Sequence, residues 1–332
     1  MLTKDLVSII TPCFNGEKFV HRLLDSVLEQ NYTNIEHIII DDGSTDRTAE
    51  IIQEYIPKYE KLGKKLIYEF QENAKAGAAL NKGLKLFSGE YLTWPDSDDY
   101  YRSNSAISTM VKTINSLPEE YGIVRCDATL IDENTLKGTE KFSDIKSNPT
   151  KENLFEDCIL EYNFWYAPGC YFTYAKTFDN VIKNRDIFVN NDVQNWQMLL
   201  PILYKYKCFY IKEPLHNYLV RSTSYCHQSI DYELAISRTF IHEEIIIETL
   251  KRIEMKTIEM ERYLSLVEEK YILKRLSISF DYNKSEQFDE LFLKLKKYNI
   301  NKVTFKLKAK KLLINSPTII SIIRKIRGIV KI

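Results

Sequence analysis

The chain of 332 residues has no run of about 18 apolar residues, so no membrane-spanning helix is expected. The apolar segment within MLTKDLVSIITPCF is too short and too soon interrupted for a secretory signal. None of the six cysteines (13, 126, 158, 170, 208 and 226) forms a C-x-x-C pair. That argues against a structural zinc site and fits reduced thiols in a cytoplasmic protein. A P-loop, a G-x-G-x-x-G cradle after the first strand, an H-E-x-x-H pair among the five histidines and a G-x-S-x-G elbow are all missing. Lys+Arg and Asp+Glu both number 46, so the formal charge is zero. General nucleic-acid binding, which needs a surplus of positive charge to release counterions, is not expected.

What is present is a strict alternation of two periods. Leu6–Thr11, Ile35–Ile40, Lys65–Phe70 and Glu90–Trp94 read as short buried strands. Between them, Glu17–Gln30, the stretch after Asp46 and Gly77–Phe87 carry apolar residues at helical spacing. Such alternation predicts an α/β fold, a Rossmann-like, mostly parallel sheet with helices on both faces. Two acidic clusters, Asp41-Asp42 and Asp96-Ser97-Asp98-Asp99, and also Asn15, fall at the carboxyl ends of predicted strands. Ligands of parallel sheets bind at that edge, so three segments converge on one expected site.

Three carboxylates within the four residues 96–99 repel one another unless a cation or hydrogen-bond donors compensate. Hard oxygen donors of this kind suit Mg²⁺ or Mn²⁺ shared with phosphate oxygens. A solvated acidic turn is the competing reading of a D-x-D taken alone. At Asp41-Asp42-Gly43-Ser44-Thr45-Asp46 a carboxylate suits a base N–H or a ribose hydroxyl, and Gly43 and Asp46 suit a turn and a helix cap.

Beyond residue 121 the pattern is mixed. Strands are expected at Tyr121–Leu130, Cys208–Ile211 and Leu215–Val220, and a helix starting at Asn190-Asn191-Asp192. From 232 the chain is largely helical, and 302–332 alternates basic and apolar residues. The expected organisation is one domain over 1–230, with one half to about 115 and a second over 116–230. A helical C-terminal region over 231–332 follows.

Thr11-Pro12-Cys13-Phe14-Asn15, Asp41-Asp42-Gly43-Ser44-Thr45-Asp46, Asn73-Ala74-Lys75-Ala76-Gly77 with Asn81, and Gly89-Glu90-Tyr91 leading to Asp96-Ser97-Asp98-Asp99 together resemble family-2 glycosyltransferases of the GT-A fold. The resemblance covers roughly residues 6 to 115 and weakens toward 230. It implies an inverting transfer from a nucleotide-diphosphate sugar, with UDP the commonest nucleotide, assisted by Mn²⁺ or Mg²⁺. By position, Thr11, Pro12 and Asp42 would line the nucleoside pocket, with Asn15 and Glu17 close by. Lys75 would approach the diphosphate. Asp96 and Asp98 would hold the metal, Asp98 the more direct ligand. Pro95 departs from the hydrophobic residue usual there.

The resemblance places the base that deprotonates the acceptor hydroxyl at Asp192, in Asn191-Asp192, where the family often has Glu-Asp. An N-cap role is the plain alternative. Arg221 is either a partner of diphosphate oxygens or a surface arginine. Trp165-Tyr166-Ala167-Pro168-Gly169-Cys170 either lines the acceptor side or packs in the core. The tail over 303–332 is either an amphipathic helix at an anionic membrane or a helix docked on the protein. The expected acceptor is a glycan or lipid-linked hydroxyl in surface polysaccharide or glycoconjugate synthesis. The expected location is cytoplasmic, with peripheral attachment to the inner membrane face if the tail binds there. The alternative function is a sugar-nucleotide-binding pseudoenzyme without catalysis.

Overall fold

The structure is a computed structural model and describes residues 2–146, 148–190, 193–221 and 230–314. Two compact units divide the chain. The first comprises Met1–Gln228 and Glu248–Ile253, the second Ser229–Ile247 and Glu254–Ile332.

The first unit is built on a nine-stranded sheet. Its nucleus is β1 (Thr3–Cys13), β2 (Ile35–Asp41), β3 (Lys65–Phe70) and β4 (Gly89–Thr93), in the order β3-β2-β1-β4 and all parallel. Val7 to Cys13 and the whole of β2 are buried. That is why these strands read as largely apolar and not as alternating, and their buried polar residues pair across the strands, Ser8 donating to Glu36 and Thr11 lying against His37. Helices α1 (Val20–Leu28), α2 (Thr48–Lys61) and α3 (Lys75–Leu86) lie in the crossovers. Helix α3 seats directly on β1 and β2. A methyl placed on Gly83 would lie 2.4 Å from Ile10 Cγ2 and 3.4 Å from Ile40 Cγ1, so only a residue without Cβ fits there.

Past β4 the pairing becomes mixed. After β5 (Tyr100–Tyr101) and α4 (Ala106–Asn115) come β6 (Tyr121–Asp132), β7 (Gly138–Lys141), α5 (Phe142–Ile145) and α6 (Phe155–Leu160). They are followed by β8 (Tyr171–Tyr174), α7 (Ala175–Val181), α8 (Asn195–Lys205) and β9 (Lys207–Val220). The sheet continues β4-β8-β6-β9-β5, with β8 antiparallel to both its neighbours and β9 parallel to β6.

Two expectations change here. The two short strands expected at 208–211 and 215–220 form the single strand β9. Pro214, which lacks a ladder donor, is accommodated where the β6–β9 register shifts. Helix α8 begins at Asn195, with Gln194 at its N-cap, and not at Asn190.

The second unit is helical, with most of α9 (Tyr232–Lys251), then α10 (Thr257–Asp281), α11 (Ser285–Tyr298) and α12 (Phe305–Ile314). Its core joins Ile272, Leu276 and Phe280 of α10 to Phe288, Phe292 and Leu295 of α11.

Candidate nucleotide-sugar site

The carboxyl ends of β1, β2 and β4 bring the predicted acidic segments together. The thiol of Cys13, the last residue of β1, reports this convergence. It is pushed up to about 12, by burial first, against a hydrogen bond with Ser97, and then by the charges of Asp41, Asp46 and Asp98. The turn at 96–99 thus lies against the β1 exit. A methyl on Gly16 would lie 3.9 Å from Ser97 Oγ.

Asn15 and Glu17 brace the β1 and β2 exits. Asn15 adopts a left-handed φ of 50°, its amide N–H donates to Ser44 Oγ at 2.9 Å, and its Oδ1 accepts from the Thr45 N–H at 2.9 Å. The Glu17 carboxylate accepts from the Arg47 N–H at 3.1 Å, and its own N–H donates to Asp46 at 3.2 Å. Pro12 is buried in register with Ile40. Thr11 is fully buried, with its hydroxyl 3.0 Å from His37 Nε2, while His37 Nδ1 lies 3.1 Å from the Tyr59 hydroxyl. The Thr11 side chain therefore faces the core.

Asp42 stands at the mouth of β2. Its Oδ1 accepts from Gln71 Nε2 at 2.7 Å and from the Ala74 N–H at 2.8 Å, tying it to the loop that leads into Lys75. Lys75 is exposed, has a left-handed φ of 72° and opens α3. The same end of α3 lies beside the segment before α8, since a methyl on Gly77 would come within 3.9 Å of the Val193 carbonyl oxygen.

The three carboxylates of the β4 turn have separate environments. Asp98 forms an ion pair with Arg221, Nη2 to Oδ2 at 2.6 Å, and the Arg221 guanidinium lies 4.7 Å from the centre of the Phe19 ring. Asp96 accepts from Gln194 Nε2 at 3.1 Å. Burial raises the Asp96 carboxyl well above the usual carboxylate range, and the charges of Asp98 and Asp99 raise it further. Asp99 turns inward, where its Oδ1 accepts from the Leu219 N–H at 2.9 Å and its Oδ2 lies 3.5 Å from His216 Nε2. Burial lowers His216 to about 3, which keeps this imidazole neutral. Asp99 thus fastens the turn to β9, while Asp96 and Asp98 stay half-buried.

Among the described residues, no group of three or more His, Cys, Asp or Glu side chains is arranged to hold a metal ion. The residues present nevertheless fit one. Mg²⁺ and Mn²⁺ in phosphate sites take one or two carboxylates and complete their shell with phosphate oxygens and water. Asp98 already pairs with a cationic group, the Arg221 guanidinium. Asp98 and Asp96 offer the hard oxygens such an ion requires.

Asp192, expected as the base, lies outside the described residues, as does Asn191. Gln194, two positions further on, is 5 % exposed and on Asp96. Neither Gln194 nor Phe19 stood out in the sequence. An amide carries no motif, and Phe19 read as one more apolar position of a helix. The Trp165 region resolves as packing. Trp165 is 2 % exposed, stacks on Phe142 at 5.8 Å and lies under the buried Arg125 guanidinium at 4.0 Å. Tyr166 donates to the Cys158 carbonyl oxygen and accepts from Trp196 Nε1.

Comparison with known proteins gives the family and the fold. The family model of Glycosyl transferase family 2 matches residues 8–218, more than half of the chain. An uncharacterised glycosyltransferase of Rickettsia typhi is 35% identical over 187 residues, covering 54% of this chain and 55% of that protein. The chain thus spans about half the length of the curated relatives it matches first. Among solved structures, S. aureus TarS 1-349 in complex with UDP-GlcNAc aligns with a TM-score of 0.60 at 17% identity. It covers 96% of this chain and 92% of that one. The mannosyltransferase PcManGT from Pyrobaculum calidifontis, in complex with GDP-Man and Mn2+, aligns with a TM-score of 0.54 at 14% identity, covering 95% and 86%. At these identities the structural likeness is one of fold, the GT-A type.

Proposed function

The chain belongs to glycosyl transferase family 2, and from that membership we propose that it transfers a sugar from a nucleotide-diphosphate sugar, with UDP as the nucleotide, to a hydroxyl of a glycan or lipid-linked acceptor. The observation that carries the proposal is the pairing of Asp98 with Arg221 beside Asp96 at the carboxyl edge of the parallel strands. TarS binds UDP-GlcNAc and PcManGT binds GDP-Man with Mn2+, and both share the fold. Those ligands support the donor class and the metal.

The proposed reaction is a single displacement with inversion. The acceptor oxygen attacks the anomeric carbon as the bond to the diphosphate oxygen breaks. Asp192 takes the proton of the acceptor hydroxyl as that bond forms. Asp96 and Asp98 would hold Mn²⁺ or Mg²⁺, which would supply positive charge to the leaving diphosphate. Arg221 donates its planar fork to diphosphate oxygens. Lys75 adds a second positive charge from the start of α3. Asp42 accepts from the base or ribose. Asn15 and Glu17 act by holding the 44–47 loop against the β1 exit, and Thr11 and Pro12 supply backbone wall.

The proposed product is a surface polysaccharide or glycoconjugate, with a membrane surface as partner of residues 303–332. Among the described residues no helix is long and apolar enough to cross a membrane. Thermal unfolding with a panel of nucleotide-sugars, with and without Mn²⁺, tests the donor reading. Stabilisation by a UDP-sugar only with metal supports it, and no stabilisation by any nucleotide-sugar overturns it.

A further inference from the structure

Residues 291–314 contain eight lysines and no aspartate or glutamate. The structure divides those lysines. Lys294, Lys302 and Lys311 pair with Glu268, Glu269 and Asp289 within the second unit. Lys296, Lys297, Lys306 and Lys308 are exposed and have no acidic partner among the described residues.

Helix α12 is apolar on two sides. Ile314 is buried in the core of the second unit, with Leu307 and Leu313 packed against it. Phe305 and Leu312 point the other way and are 87% and 76% exposed. Seven positions separate them, two helical turns, so they lie on one stripe. Lys308 falls on the same side and Lys306 flanks it. Large side chains this exposed, set among unpaired lysines on a helix already anchored by its opposite face, do not serve the fold of the unit. They mark a contact surface.

We propose that this outer stripe of α12 docks on an anionic lipid surface, with Phe305 and Leu312 entering the headgroup–acyl boundary and the unpaired lysines contacting acidic headgroups. This rests on the glycosyltransferase reading only for its biological sense, since a lipid-linked acceptor would be presented at such a surface. It also moves the contact from the tail as a whole to an ordered helix. The charge pattern selects the occupant. A second copy would bring lysines against lysines, and residues 315–332 carry Arg324, Lys325, Arg327 and Lys331 with no acidic residue. Both would be repelled where an anionic bilayer is attracted. Nucleic acid would satisfy the lysines but offers no apolar phase for Phe305 and Leu312.

The experiment is co-sedimentation of the full chain with vesicles of phosphatidylcholine alone or of phosphatidylcholine with phosphatidylglycerol, at low and high salt. The wild type is expected to bind the phosphatidylglycerol vesicles, less tightly as salt rises, and to ignore the neutral ones. The double variant Phe305→Asp/Leu312→Asp should bind at least about tenfold more weakly at every salt concentration. Lys306→Gln/Lys308→Gln should flatten the salt dependence. Both positions are exposed, so the unfolding midpoint should not move, and Phe305→Ser/Leu312→Ser provides a second, uncharged variant. Stabilisation by nucleotide-sugar is read on the same preparations. Its loss in all of them would count against the donor reading and leave the docking result standing. The proposal is overturned if the wild type does not bind phosphatidylglycerol vesicles. It is also overturned if both apolar variants bind them as the wild type does, or if an RNA oligonucleotide binds where vesicles do not.

Discussion

Arg221 Nη2 lies 2.6 Å from Asp98 Oδ2, so the acidic turn after β4 is tied to the segment that leaves β9. The pair is part-buried, with the arginine resting on Phe19. In the proposed reaction this guanidinium exchanges a carboxylate for diphosphate oxygens. Arg221→Ala should then lower kcat/KM by about 10- to 100-fold, the range of a lost charge-assisted hydrogen bond. Arg221→Lys should recover only part of it, because a lysine has no planar fork. Steady-state kinetics with the donor varied checks this, and an unchanged kcat/KM in Arg221→Ala would remove the arginine from the mechanism.

Asp192 is the proposed base. Asp192→Asn should reduce kcat by about 100- to 10,000-fold, the usual share of a general base, and leave donor binding near normal. A helix cap would behave differently, moving the unfolding midpoint and sparing kcat. Single-turnover rates and chemical denaturation on one preparation separate the two roles.

His37 links the site's support to pH. It is fully buried between Thr11 and Tyr59, and burial lowers it to about 3. The unfolded chain binds a proton there at the ordinary value of about 6.5 and the folded chain does not. Stability is therefore complete above about pH 6.5 and falls by about 1.4 kcal/mol per pH unit as the pH drops toward 3. His37→Gln should remove one proton's worth of that slope. Urea midpoints measured from about pH 7 to about pH 5 report it, and an identical slope in both proteins would contradict the assignment.

Gly89 opens β4, the strand that carries the turn. A methyl there would lie 2.5 Å from the Leu6 carbonyl oxygen and 2.5 Å from Ser8 Oγ. Gly89→Ala should cost about 1–3 kcal/mol, since backbone cannot step aside as a flexible side chain can. Denaturation of the purified variant measures it, and an unmoved midpoint would show that the β1–β4 contact is looser than described.

The parallel half of the fold was legible because β2 and most of β1 are buried on both sides. Largely apolar runs at 6–11 and 35–40, with only Ser8, Thr11, Glu36 and His37 polar, admit few other readings, and the acidic residues at their ends follow from strand order. The second half was less legible. Pro214 reads locally as a break, and only the register shift against β6 lets β9 run through it. Asn190 to Asp192 carry the chemistry of a helix start, yet α8 begins at Asn195, so capping residues alone misplaced the boundary. Within the turn, sequence treats Asp96, Asp98 and Asp99 alike. Tertiary contacts tell them apart, with Gln194 on one, Arg221 on the next, and the Leu219 N–H and His216 on the third. None of those partners is close in sequence, which is why no local pattern announces them.

The proposed site depends on Asp98 as a residue that would hold the metal and so assist donor binding. Its most direct test is thermal unfolding of the wild type and Asp98→Asn with UDP and UDP-sugars, with and without Mn²⁺. At a ligand concentration near a hundred times Kd, the wild type should gain about 2.7 kcal/mol, an upward shift of several degrees, only when Mn²⁺ is present. Asp98→Asn should show no metal-dependent shift. Equal, Mn²⁺-dependent stabilisation of both proteins would contradict the account.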